Sequence, residues 1–222
     1  VVREKYQARA QAQLRKLLTL LPDGVVLEYA GAIEWVKGEE SLAVWAGPSM
    51  NIFNREAEKE IENLGFSGCF LSQELTIPQI RYIAKGSDIP LGAYVYGRTE
   101  MMISEYCAIN AVMGDKDKKH CPMYCMRGRF ALKDGEGRRF PIHTDEWCHM
   151  HIANCHVLDM RPYFDELKKA GLSALTLDVR GNEGSILSLC KDACDILSGR
   201  KEAPGAGRGD DVTRGHFFRG VL

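Results

Sequence analysis

The sequence predicts an α/β fold, a (β/α) barrel-like sheet that stops short of closure, and three observations predict it. Short apolar runs alternate with amphipathic stretches of helical period. One run follows the next at roughly 20–25 residues, the length of a strand–helix unit. Only five or six such runs are present, where a closed barrel needs eight, so an incomplete barrel or open sheet is expected.

Taken in order, Glu4 to Leu21 alternates Lys, Arg and Gln with Leu and Ala and stops at Pro22, one amphipathic helix. Val25–Tyr29, Leu42–Ala46, Gly68–Leu71, Leu91–Tyr96 and Ala174–Asp178 read as strands. Between them Asn54 caps a helix over Arg55–Leu64, and Thr76 caps Pro78–Lys85. Asp165–Ala170 ends at Gly171, and Ser185–Ser198 forms the last helix. The rhythm breaks between Gly97 and Asn154. There Gly114–His120 is a charged loop, and Phe130–Asp134, Gly135-Glu136-Gly137 and Arg138–His143 form an inserted β-hairpin. Gly199–Asp211 has linker composition, and the tail Thr213–Gly220 is too aromatic and basic for plain disorder. The expected organisation is an α/β domain over 1–198 with a metal-binding excursion at 97–155, then a linker and tail over 199–222.

Bulk composition excludes several classes. With 29 basic and 30 acidic side chains, net −1, a globally basic nucleic-acid glove is not expected, although a local patch is. No apolar run reaches the ~18 residues a membrane span needs. Val1–Arg15 lacks the apolar core of a secretory signal, so the eight cysteines are expected in a reducing cytoplasm, where clustering means metal or catalysis. The chain begins without an initiator Met and is read as part of a longer polypeptide, whose remainder or a partner subunit completes the barrel.

Five cysteines fall in the irregular excursion: Cys107, Cys121, Cys125, Cys148 and Cys155. The first four are spaced Cys-x13-Cys-x3-Cys-x22-Cys, one close pair and two singles. Zinc modules commonly use two close pairs, so this pattern fits an iron–sulfur cluster better than a zinc ribbon. Cys69 lies inside a strand, and Cys190 and Cys194 stand four apart on the last helix beside leucines, so all three are expected in the core. His143, His149, His151 and His156 surround the later cysteines and offer mixed zinc ligation. His149 and His151 alternate along a strand, sharing a face that Cys148 does not.

A run of segments resembles the collagenase-like peptidase U32 family. These are Asn51–Asn54, Leu71–Leu75, Tyr94–Arg98, Met101–Cys107, Cys121-x3-Cys125, Leu132–Asp134 and Phe140–Ile142. The closing Thr213–Val221 is similar to the end of the longer bacterial members. The usual signature carries two cysteines where this chain has Glu100 and then Cys107, which resembles a single-cysteine branch. The resemblance implies a [4Fe–4S] cluster on Cys107, Cys121, Cys125 and Cys148, with Cys155 in reserve and zinc as the alternative occupant. It also implies either proteolysis of denatured proteins such as collagen, or oxygen-independent hydroxylation of RNA or a quinone precursor with prephenate as oxygen donor.

The residues themselves favour neither activity outright. His-Glu-x-x-His and Gly-x-Ser-x-Gly are both absent, although a cysteine–histidine dyad assembled by the fold is open. Arg98, Arg127, Arg129 and Lys133 flank the cysteines and suit a small anionic substrate or RNA phosphate. Tyr96, Tyr106 and Tyr124 suit base stacking, and Glu74 and Glu105 suit acid–base work. A third reading is a structural four-cysteine zinc site without catalysis of its own.

Overall fold

The computed structural model of the chain describes residues 4–114, 121–180, 184–205 and 211–219. Most of the Gly114–His120 loop, the end of the glycine-rich segment and Gly220 lie outside the described residues. The chain opens with α1 (Glu4–Leu18), β1 (Gly24–Leu27), β2 (Ala43–Ala46), α2 (Arg55–Asn63), β3 (Gly68–Phe70), α3 (Ile77–Ala84) and β4 (Leu91–Gly97). The excursion follows with β5 (Glu100–Ser104), α4 (Ala108–Met113), β6 (Phe130–Lys133), β7 (Arg139–Thr144) and β8 (Met150–Ala153). The chain then returns through β9 (Val157–Asp159), α5 (Phe164–Lys169), β10 (Ala174–Leu177), α6 (Ile186–Leu197) and β11 (Val212–Thr213).

Local chemistry sets these bounds. Asn54 Oδ1 accepts from Ala57 N at 2.8 Å and starts α2, with Glu56 and Glu58 in its first turn. Thr76 and Gln79 form a reciprocal capping box on α3, with Pro78 in the first turn. Ser185 caps α6, and Gly171 follows α5 at φ +103, a left-handed position suited to glycine.

The main sheet runs β1-β2-β3-β4-β9-β11, with β10 also paired to β4. Pairings β1–β2, β2–β3, β3–β4 and β4–β10 are parallel, whereas β9 meets β4 antiparallel. The sheet is open, not a closed barrel. Its central strand β4 is almost wholly buried, because α2, α3 and α5 lay Ile61, Ile77, Ile80, Ile83, Phe164 and Leu167 into one core with Cys69, Leu71, Leu91 and Val95. The tail belongs to this core. Phe217 is 2% exposed, its carbonyl accepts from Ile77 N at 2.8 Å, and Phe218 meets Tyr163 edge-on at 4.7 Å.

The second sheet is antiparallel in the order β5-β8-β7-β6 and contains the expected hairpin. Four elements escaped the sequence pattern. Glu100–Ser104 is largely exposed and shows no alternation, β9 has three residues and β11 two, and α4 is too short to display helical period.

Cys69 shows what the core does to a thiol. Burial, reinforced by the carboxyl of fully buried Glu58, pushes it up to about 12. Folding therefore favours its neutral form. That contribution to stability is intact below the unfolded pKa of ~8.5 and is lost as pH rises toward the folded value. Iodoacetamide at neutral pH is expected to leave Cys69 unmodified in the folded chain while alkylating exposed Cys194, read by peptide mass mapping. Native-state labelling of Cys69 would contradict this burial.

Candidate functional site

One end of the four-stranded sheet collects cysteines. β5 ends at Ser104, opposite Met150 at the start of β8, which is in turn opposite Thr144 at the end of β7. Phe130 begins β6 beside Ile142. Cys107 follows β5, Cys125 precedes β6 and Cys148 precedes β8, so register brings all three to this end. Cys107 caps α4, its Sγ accepting from Asn110 N at 3.4 Å. Cys121 Sγ accepts from Met123 N at 3.4 Å, and Cys125 lies in the 3₁₀ turn Tyr124–Met126.

Cys107, Cys121 and Cys125 line one cleft with Ile109, Asn110 and Tyr124. Its free volume, ≈ 10 Å³, is about that of a single water position. Asn110 is 5% exposed, and its Oδ1 is buried without a hydrogen-bond partner. Three soft thiols on a shared cleft fit a thiophilic metal or cluster. Each Zn–S bond of ~2.3 Å sets the sulfurs of a zinc tetrahedron ~3.8 Å apart. Among the described residues no three cysteine sulfurs lie within 4.8 Å of one another.

Cys148 sits in the turn between β7 and β8, exposed, at φ +60. It and Met123 are two of the four non-glycine residues with left-handed backbone among those described, and both belong to the cysteine segments. Asp145 builds the turn, its Oδ1 accepting from Trp147 N at 2.9 Å and His149 N at 2.8 Å, while Oδ2 meets His149 Nδ1 at 2.8 Å. Burial works to raise this carboxyl, but the bonds from His149, Trp147 and His151 outweigh it and hold it below the usual range. α1 braces the same turn, since Tyr6 packs on Trp147 at 4.3 Å and Arg9 lies over the indole and pairs with Glu146. Cys155 lies past the opposite end of β8, where its carbonyl and that of Asn154 accept from Arg98. The length of β8, roughly 10 Å at ~3.4 Å per residue, separates it from the cleft end.

A second group of polar side chains stands at the carboxyl ends of the parallel strands, where open α/β sheets place their ligands. Glu28 follows β1 and accepts from Ser49 N at 3.1 Å. Asp178 follows β10 and holds Arg180 through bonds of 2.9 and 2.7 Å. Burial works to raise Asp178, yet Arg180 and nearby His143 keep it below the carboxylate range. Burial raises the Tyr94 phenol, and the negative charges of Glu28 and Asp178 add to this. Gly97 lets β4 pass this point at φ +121, where a Cβ would come within 2.4 Å of the Asp178 carbonyl oxygen. Over the strand ends stand Glu100, His143 and His151, with the two imidazoles stacked at 4.7 Å. Burial lowers the His143 pKa, helped by His151 and Arg180 and opposed by Glu100 and Asp178. Glu28, Asp178 and Arg180 were not expected as site residues, although Glu28 and Asp178 fall at the ends of predicted strands and Arg180 lies two residues beyond one.

The remaining expected residues divide. Tyr124 lines the cysteine cleft, Tyr106, Arg127 and Arg129 are exposed on the segments that carry Cys107 and Cys125, and Lys133 is exposed at the far end of β6. Arg98 instead clips two carbonyls, and Tyr96 lies under Arg161 at 5.2 Å. Glu105 Oε1 is 3.7 Å from His149 Nε2, and Glu74 is exposed. His149 and His151 share a face as expected, both reaching Asp145 Oδ2. Cys69 is core as expected, whereas Cys194 is exposed and Cys190 half-buried, because α6 turns Leu189 and Ala193 inward instead.

A family model described as peptidase family U32 matches residues 1–193. Among solved structures, the U32 peptidase Mk0906 is 19% identical with a TM-score of 0.37, covering 44% of this chain and 40% of that one. The spore cortex-lytic enzyme SleL of Bacillus megaterium QM B1551 is 13% identical with a TM-score of 0.32, covering 79% of this chain and 50% of that one. The chain thus spans half or less of each of these structures. A search of curated proteins finds no match.

Proposed function

Because this chain belongs to peptidase family U32, we propose that it is an iron–sulfur domain of a member that hydroxylates RNA or a small aromatic substrate without molecular oxygen. The observation that carries the cluster is the convergence of Cys107, Cys121 and Cys125 on one cleft at the sheet end that also bears Cys148. Cys107, Cys121 and Cys125 hold the cluster from the cleft, and Cys148 completes the set from its strained turn. A bound cluster supplies one-electron chemistry. Asn110 and Tyr124 line the same cleft and would lie against the cluster.

Support for an RNA substrate comes from Arg127, Arg129 and Lys133 on the exposed hairpin side, and from Tyr106, whose ring is exposed for stacking. Proteolysis has no comparable support, since neither a zinc-peptidase helix motif nor a serine nucleophile elbow is present. No helix among the described residues is long and apolar enough to cross a membrane, and nothing in the reading requires one.

Anaerobic purification followed by iron, sulfide and zinc analysis tests the cluster. The expected protein is brown and holds about four irons per chain. A colourless protein with one zinc would replace the cluster by a structural site. Transcripts incubated with the reduced parent protein and an oxygen-donor metabolite should yield a nucleoside one oxygen atom heavier. Cleavage of denatured collagen by a chain lacking all excursion cysteines would favour the peptidase instead.

A further inference from the structure

The four-stranded sheet presents a second set of metal-donor side chains that the cysteine cleft does not use. His143 on β7 stands directly opposite His151 on β8, so both rings project from one face. Regular alternation along β5 would not place an acid beside them. The irregularity between Glu100 and Met102 sets Glu100 opposite Ala153, two residues beyond His151 and therefore on the histidine face. One donor atom from each of Glu100, His143 and His151 then lies within 4.8 Å of the other two.

The state of these donors points to a ligand. His151 Nδ1 meets Glu100 Oε2, while its buried Nε2 makes only a long contact of 3.4 Å, to Asp145 Oδ2. The His143 and His151 rings lie nearly parallel, 12° apart, at a centroid distance of 4.7 Å. Glu100 and His143 are exposed, which leaves them free to close from within 4.8 Å to the ~3.4 Å edge set by metal–ligand bonds of ~2.1 Å.

We propose that Glu100, His143 and His151 bind one divalent transition-metal ion of the zinc or iron(II) type. Two imidazoles select against magnesium and calcium, which take oxygen shells, and the absence of a thiol from the set separates it from the cleft. Three protein ligands leave coordination positions open to water or a substrate oxygen, the pattern of a catalytic site and not of a closed structural one. Arg180 and Asp178 stand within electrostatic reach, so the ion would sit over the carboxyl ends of the parallel strands, where an anionic substrate meets Arg180.

This inference goes beyond the cluster and does not rest on it. Cobalt(II), added anaerobically to the full purified chain, is the probe, read by calorimetry and visible absorption. The expected result is one cobalt bound with weak visible bands and no intense sulfur-to-metal charge transfer. His143→Ala and Glu100→Gln, both at exposed positions, should each weaken that binding tenfold or more. Cys121→Ser should leave it in place while the iron content falls. Cobalt that binds only with sulfur charge transfer, or binds equally well to both site variants, overturns the proposal.

Discussion

Serine at Cys121 or Cys125 is expected to reduce iron from about four per chain to well below one, with loss of the brown colour. A serine hydroxyl is a hard and weakly acidic donor and does not replace a thiolate on iron. Both residues line the same small cleft as Cys107, so losing either opens one wall of the site. The effect on stability should also be large. Structural metal sites contribute on the order of 10 kcal/mol at neutral pH, comparable with the whole stability of a domain. Cys148→Ser is expected to behave in the same way, because register holds its turn at the cleft end. Cys155→Ser and Cys194→Ser should keep their iron, the first lying past the far end of β8 and the second exposed on α6. Equal iron in all five variants would remove the assignment. Loss in Cys155→Ser but not in Cys148→Ser would exchange the fourth ligand.

Phe217→Ala is expected to destabilise the chain by about 3–5 kcal/mol in urea unfolding, the range for deleting a buried aromatic ring. The ring is almost wholly enclosed in the main core, and its own carbonyl ties the tail to the first turn of α3 through Ile77. The cavity would open between the tail and the sheet, so local opening of the β9–β11 pairing should accompany the global loss. Phe218→Ala is the control. That side chain is 42% exposed and touches Tyr163 and Arg214 at the surface, so its removal should cost under about 1.5 kcal/mol. Equal costs at the two positions would mean that the tail is not seated in the core.

Two chemistries would then share one small sheet, a thiol cleft at its end and an imidazole–carboxylate set on its face. The excursion leaves β4 and returns through β9, which also pairs with β4. Both its ends are therefore anchored on the central strand of the core. That anchoring holds the histidine face over the strand ends while the cysteine turn is braced separately by α1.

The sequence by itself determined the α/β class, the five parallel-sheet strands and the caps of α2 and α3. It could do so because apolar periodicity, capping residues and terminal glycines act within a few residues of where they stand. The hairpin was legible for the same reason, its glycine turn lying between two short runs of strand character. Cysteine type and spacing pointed to the excursion as a metal-binding segment, since thiolate chemistry is a property of the residue itself. Only the tertiary structure separated Cys148 from Cys155, because both lie within reach in sequence and the pairing of β8 with β5 alone sends them to opposite ends. Only it gathered Glu28, Asp178 and Arg180, which come from strands distant in the chain and neighbouring in the fold. The Glu100–His143–His151 set depended on a strand irregularity and a cross-strand register. Register is decided by which faces are buried against the rest of the molecule, and no local pattern carries that information.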